Sequence, residues 1–237
     1  IGFIFTRCHF QLRSFRTGTT GYAFYGAYCS NISLIDCVVV GNSVYFVASL
    51  DLLIKNTKYA DNFHTTSQGS PAVNGVVYIA AGCVNSKIYG IDWHTSVENV
   101  HPDQALVYIQ GATNTRVQNI GTRAVPLSGG STNIMLYAIR DGGNNYNVEI
   151  KRVYCCDIAT RFYNGINSSK LIIIENCAAE YTTTMGTSGT AGFVVLEGYV
   201  KNLASSAAYN AYTSVYGTIF YNLFTSNTQG RIGLMFN

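Results

Sequence analysis

The chain repeats itself, and an internal period limits a fold more than any single residue does. In the clearest copy, the apolar run Val76-Val77-Tyr78-Ile79 leads through a turn to Asn85 and a second run ending at Ile91. Leu106 to Ile109 with Asn114 repeats it, as do Met135 to Tyr137 with Asn145-Tyr146-Asn147-Val148. Phe162-Tyr163 leads to Asn167 and Leu171 to Ile174, and Ile219 to Tyr221 leads to Asn227. Earlier copies are Tyr22 to Phe24 with Asn31, and Val44 to Phe46 with Asp51 and Leu52 to Ile54. Phe193 to Val195 with Asn202 is a weaker one. There are about eight copies, roughly 22 to 32 residues apart, a period typical of solenoids and propellers.

The apolar runs are short and rich in Val, Ile and Tyr, which predicts strands rather than helices. Uneven spacing argues against a tight hexapeptide coil or a regular horseshoe. It predicts an all-β fold, a right-handed single-stranded parallel β-helix solenoid of about eight rungs stacked about 4.8 Å apart. A recurrent Asn suits its corner: Asn tolerates the left-handed backbone region, and its amide can bond the Asn of the next rung. No change of composition marks a linker, so residues 1–237 are expected to form one β-helix domain. The chain begins at Ile1 in mid-pattern and is expected to be part of a longer protein.

Hydrophobic residues make up 48% of the chain and charged residues 11%. A net charge of +3, scattered along the sequence, gives no reason to expect a nucleic-acid partner. No apolar run is long enough for a transmembrane helix, so no membrane insertion is expected. Val38 to Val40, Leu52 to Ile54, Leu171 to Ile174 and Phe193 to Leu196 are apolar at consecutive positions. In strands such runs put apolar side chains outward, where they need cover, and this predicts an oligomer. The seven cysteines include no CxxC pair. Cys29 and Cys83 share an offset but lie two copies apart, too far for a disulfide. Buried thiols packed inside the coil, in a chain made in a cytoplasm, are the expectation.

Two columns stand out. Tyr78, Tyr108, Tyr137, Tyr163 and Tyr221 recur at one place in their copies, as a sugar-stacking ladder or an aromatic packing stack. Counting seven on from the repeat Asn, or from Asp51, gives Val38, Lys58, Asp92, Gly121 and Arg152; counting nine gives Val40, Ala60, His94, Arg123 and Tyr154. Polar and aromatic groups gather here, and the excursions at 63–74, 93–104 and 123–132 emerge nearby. Glycoside hydrolysis needs two carboxyl groups flanking the bond, and Asp61, Asp92 and Glu98 are the candidates. Trp93, His94, Arg123, Lys58 and Tyr154 are the candidate substrate contacts. The alternative is a solvated polar face without chemistry. His64, His94 and His101 have no ligand spacing, so no metal and no cofactor is expected. Asn31-Ile32-Ser33 and Asn167-Ser168-Ser169 fit a glycosylation pattern, but each Asn is the repeat Asn and is expected to be occupied at its bend.

The repeat, with runs such as Leu171 to Ile174 after Asn167, resembles the right-handed parallel β-helix of the pectin-lyase-like superfamily. The Asn-Thr-Asp, double-Asp, Gly-His-Gly and Arg-Ile-Lys signatures of polygalacturonases do not occur, nor do the calcium acids and Arg of pectate lyases. What remains similar is the tailspike and tail-fibre group of bacteriophages. That resemblance implies a homotrimer in a virion tail, made in the host cytoplasm, that binds bacterial surface polysaccharide and depolymerises it as an endoglycosidase. A polysaccharide lyase with a Tyr154 or Lys58 base, a non-cleaving adhesin, a structural spacer of a fibre and a secreted protein are the alternatives.

Overall fold

The computed structural model describes residues 2–11, 22–40, 43–60, 75–94, 105–123, 137–156, 161–166, 169–180, 191–197, 213–216, 219–221 and 231–236. Among them the chain is all-β, with no helix. Its strands are β1 (Phe3–Thr6), β2 (His9–Gln11), β3 (Phe24–Ala27), β4 (Ile32–Ile35), β5 (Val38–Val40), β6 (Val44–Val47) and β7 (Leu53–Ala60). There follow β8 (Gly75–Ile79), β9 (Lys87–His94), β10 (Ala105–Ile109), β11 (Thr113–Arg123), β12 (Tyr137–Asp141), β13 (Tyr146–Cys156) and β14 (Arg161–Ile166). The last are β15 (Lys170–Glu175), β16 (Ala178–Glu180), β17 (Ala191–Glu197), β18 (Thr213–Tyr216), β19 (Ile219–Tyr221) and β20 (Arg231–Phe236).

Among the described residues every strand pairing is parallel. An eight-stranded sheet runs β3-β6-β8-β10-β12-β14-β17-β20. A twelve-stranded sheet runs β1-β4-β7-β9-β11-β13-β15-β18, with β2, β5, β16 and β19 continuing it alongside. The chain alternates between the two sheets, and each pass adds one strand to the same side of both. Parallel neighbours need such crossovers, since no tight hairpin can join them.

Left-handed backbone positions recur in three columns and form the corners. The first column holds Tyr28, Ala48, Gly82, Gly111 and Gly143. The second holds Asn31, Asp51, Asn85, Asn114 and Asn147, and continues at Leu171. The third holds Asp36, Asn56, Gly90, Asn119, Arg152 and Asn176. Most side chains pay for this region with a Cβ clash, which Gly avoids and Asn tolerates. The expected Asn corner is therefore present, with two corrections. In its fifth copy the corner residue is Asn147, not Asn145, because Thr113 pairs with Tyr146. In the next copy Leu171 takes the corner, since Tyr146 pairs with Lys170, while Asn167 lies outside the described residues. The strands also outlast the apolar runs: β11 and β13 pass through the third corner, where a polar Asn119 or Arg152 interrupts the hydrophobic pattern without ending the ladder.

The core lies between the sheets. Ile32, Leu34, Leu52, Ile54, Ile88, Val117, Val148, Ile150 and Ile172 face Val44, Phe46, Val77, Ile79, Val107, Ile109 and Ile139, all buried. The residue just past a corner is often small and carries a donor. Cys37 Sγ–H, Thr57 Oγ1–H and Cys177 Sγ–H each donate to the carbonyl two residues back, past the third corner. Cys29 and Ser49 do the same past the first. This gives the buried cysteines a structural role, and burial pushes the Cys177 thiol up to about 11, leaving it protonated and inert. Cys29 and Cys83 are free thiols, and the segment Ser49-Leu50 runs between their two passes.

Asn114 tests the corner. Its Nδ2–H donates to Asn85 Oδ1 (3.1 Å) and its Oδ1 accepts from Asn147 (2.9 Å). Asn114→Leu removes both bonds and puts a bulky residue at φ 54°. The expected cost is about 1–3 kcal/mol by chemical denaturation. An unchanged midpoint would mean that the ladder contributes nothing.

Candidate functional site

The second corner column makes a chain of side-chain amides on the surface of the larger sheet. Asn85 Nδ2–H donates to Asp51 Oδ1 (3.0 Å), Asn114 to Asn85 (3.1 Å) and Asn147 to Asn114 (2.9 Å). An amide has two N–H donors and two lone pairs. The ladder uses one of each at Asn85 and Asn114, so one donor and one acceptor per amide remain toward solvent. Two residues further along each strand an outward row reads Leu53, Lys87, Arg116, Glu149 and Ile173, held in register across β7, β9, β11, β13 and β15. Arg116 Nε lies 3.5 Å from Glu149 Oε2, and Lys151 Nζ lies 3.5 Å from the same oxygen and 3.0 Å from Glu175 Oε2. The bond from Glu175, with Glu149 beside it, raises the Lys151 ammonium above its ordinary value. Together Asp51, Asn85, Lys87, Asn114, Arg116, Asn147 and Glu149 line an open groove of about 310 Å³. Its lining offers paired donors and acceptors, two cations and two carboxylates to a hydroxyl-rich ligand.

The other candidate residues lie past the third corner. Lys58 pairs with Asp92, Tyr59 with Trp93 and Ala60 with His94. Lys58 and Asp92 are both exposed and oppositely charged. Trp93 and His94 belong to β9 and Arg123 to β11, so these three stand on strands and not on the loops expected of them. Trp93 occupies the register position next to Tyr59, which is buried. Tyr154 pairs with Gly121 and Cys156 with Arg123. Tyr154 therefore replaces Arg152 in the column of Lys58, Asp92 and Gly121, a shift of two that follows from Asn147 being the corner residue. Arg152 is itself a corner, and its Nε–H donates to Asn119 Oδ1 (2.7 Å). Asp61 and Glu98 lie outside the described residues, as do 63–74 and most of the other two excursions.

The tyrosine column has different members from those expected. Tyr25, Tyr45, Tyr78 and Tyr108 stand in one register row on the outward side of the smaller sheet, and Arg140 continues it. Tyr137 pairs with Ala105, and Tyr163 sits in the core row beside Ile139. Tyr221 belongs to the other sheet. Equal spacing from the apolar run does not guarantee equal register when loop lengths vary. Tyr78 and Tyr108 are buried, their rings 4.5 Å apart, and Tyr78 Oη–H donates to Gln110 Oε1 (2.6 Å). Arg140 lies 5.1 Å from the Tyr108 ring centre, a cation–π distance. The middle of the row is thus a packing stack, while Tyr25 at its end is 57% exposed.

A buried carboxylate was not anticipated. Asp141 is 2% exposed and faces the core at the end of β12. Its Oδ1 accepts from Gly143 N–H (2.8 Å), Ser169 Oγ–H (2.7 Å) and the Asn145 amide, and its Oδ2 accepts from Tyr163 Oη–H (2.6 Å). Asn145 also receives Ala112 N–H (2.9 Å) and donates to Ile109 O (3.0 Å), so the cluster ties three passes together. Burial raises the Asp141 carboxyl above its ordinary value, and the four donors restrain the rise. The segment Asp141 to Asn145 reads in sequence as a polar turn; only the register shows that the Asp points inward.

Among the described residues no group of three His, Cys, Asp or Glu side chains is placed to hold a metal ion, and no helix is long and apolar enough to cross a membrane. No protein-family model and no curated protein matches the chain. Two solved structures are similar to it at low level. One is a candidate glycosyl hydrolase from Parabacteroides merdae, 11% identical over 78% of this chain and 79% of that one, with a TM-score of 0.23. The other is a plasmid-mediated fluoroquinolone-resistance protein, 10% identical over 94% of this chain and 92% of that one, with a TM-score of 0.19.

Proposed function

We propose that the chain is a right-handed parallel β-helix that binds an extended bacterial surface polysaccharide along the outward face of its larger sheet, in the manner of a phage tailspike in a virion. The observation that carries this is the amide ladder of Asp51, Asn85, Asn114 and Asn147 beside Lys87, Arg116 and Glu149. The amides of Asn85, Asn114 and Asn147 repeat a donor and an acceptor at the strand spacing of about 4.8 Å, and Asp51 adds acceptors at one end. A glycan supplies hydroxyl donors and acceptors along its length, so a straight polymer can be met strand after strand. A single small ligand would use only one such set.

Depolymerisation is the fuller form of this reading. Hydrolysis would need the glycan to extend past the third corner to Asp92, with Asp61 or Glu98 as second carboxyl group, Trp93 as a sugar contact and Lys58, His94, Arg123 and Tyr154 around them. The register pair Lys58–Asp92 supports it by setting an exposed carboxylate next to a cation on β7 and β9, past the third corner from the groove. Assembly as a homotrimer belongs to the same reading. Val76, Leu106 and Ala138 on the outward side of the smaller sheet are already fully buried within one chain, so an interface would use the exposed Tyr25, Tyr28 and Leu50.

The test is binding of the whole chain to a panel of purified capsular and O-antigen polysaccharides, followed by an assay for new reducing ends. Binding of at least one glycan, weakened by Asn114→Leu, is expected. Trp93→Ala should weaken it by about 1–3 kcal/mol if a sugar stacks there, a value carried from stacking of other planar ligands. Release of reducing ends that Asp92→Asn abolishes supports hydrolysis, and an ultraviolet-absorbing product supports a lyase. A folded chain that binds no glycan would end the reading.

A further inference from the structure

We infer that Lys87, beside the hydrogen-bonded amides of Asn85 and Asn114 in the groove, forms a seat for an anionic substituent of the bound glycan, a carboxylate or a phosphate. This rests on the glycan-binding reading and adds the chemistry of one subsite. Lys87 is exposed on β9. Its register neighbours are Leu53 on one side and Arg116 on the other. An apolar residue offers the ammonium nothing, and a like charge directly opposite on the next strand costs stability. Arg116 has its own answer in Glu149 at 3.5 Å. Lys87 has no ion pair among the described residues.

Neither of the groove's carboxylates forms an ion pair with Lys87. Asp51 accepts the Asn85 amide (3.0 Å), and Glu149 is shared by Arg116 and Lys151. The centre of the groove therefore holds two adjacent cations, only one of them compensated within the protein. Beside them Asn85 and Asn114 each retain an N–H beyond the ladder. A cation in the same groove as two amide donors suits an oxyanion, which accepts several hydrogen bonds at once. A neutral sugar hydroxyl would leave the like-charge pair Lys87–Arg116 as it is.

The test uses the whole chain with three probes: oligogalacturonate for carboxylate, a glycerol-phosphate oligomer for phosphate, and a neutral dextran oligomer. Binding is read by calorimetry and by the amide signals of Asn85, Lys87 and Asn114. An acidic probe is expected to shift these signals, to bind more weakly as salt rises, and to lose roughly ten- to a hundredfold in Lys87→Gln, the effect of one charge-assisted bond. Which acidic probe is preferred distinguishes carboxylate from phosphate. Lys55→Gln, which removes an exposed cation on β7 in register with Tyr89 of the adjacent β9, should change binding by less than about threefold, on a screened surface charge. Equal binding of dextran, or indifference to Lys87→Gln, overturns the anion seat and leaves glycan binding standing. No response to any probe also overturns the seat, and the polysaccharide panel then decides the wider reading separately.

Discussion

Asp141→Ala is expected to destabilise the protein by roughly 3–5 kcal/mol, since it strands several buried donors at about 1–3 kcal/mol each. The Tyr163 hydroxyl is the most exposed to this loss, because it is fully buried and Asp141 is the partner 2.6 Å away. Ser169 and the Asn145 amide lose an acceptor as well. Asp141→Asn should behave differently. The Asn oxygen can keep the donors now on Oδ1, and its Nδ2–H can donate to the Tyr163 oxygen, as a protonated carboxyl would. Burial raises the folded-state carboxyl above the unfolded value of about 3.9. The protonated form is then the one favoured by folding. Its contribution is complete below the unfolded value and is lost as pH rises through the folded one. Melting temperature should therefore fall across that window in the parent chain and stay flatter in Asp141→Asn. Parallel pH profiles for the two, or an Ala variant as stable as Asn, would refute this account of the cluster.

The repeat made the all-β class and the parallel stacking legible, because a short apolar run recurring at a corner can only add strands. The corner Asn was legible too, since Asn is the residue that tolerates a left-handed backbone. Register was less so. Asn145 and Asn147 both fit the pattern, and nothing local distinguishes the inward amide at 145 from the ladder amide at 147. Choosing the first displaced Tyr154 and Arg152 by two positions. The same uncertainty put Tyr163 in one column with Tyr78 and Tyr108, although its register places it in the core row beside Ile139. The groove was missed for a different reason. Its side chains, Lys87, Arg116 and Glu149, are far apart in sequence and become one row only when strands of β9, β11 and β13 are laid side by side. Charge density along the sequence pointed instead to 92–103, much of which lies outside the described residues.

Asp141 also belongs to a row that carries the other large effect. The row runs Gly26, Phe46, Ile79, Ile109, Asp141 and Gly165, one residue per strand of the smaller sheet. Phe46 is fully buried, with its ring 5.4 Å from that of Phe24. Gly26 stands directly beside it because a Cβ there would lie 2.5 Å from Phe46 Cδ1. The large and the small residue are thus one packing decision. Phe46→Ala should cost about 3–5 kcal/mol, the usual loss for a buried aromatic with its cavity. Gly26→Ala alone should cost about 1–3 kcal/mol, because the ring must leave its position. Combining the two should cost clearly less than their sum, since the added methyl enters space that the missing ring has vacated. The measurement is a double-mutant cycle by chemical denaturation, where residues in contact couple by about 0.5–3 kcal/mol. Strict additivity would mean that Gly26 is small for some reason other than Phe46, and that the row is not packed as a unit.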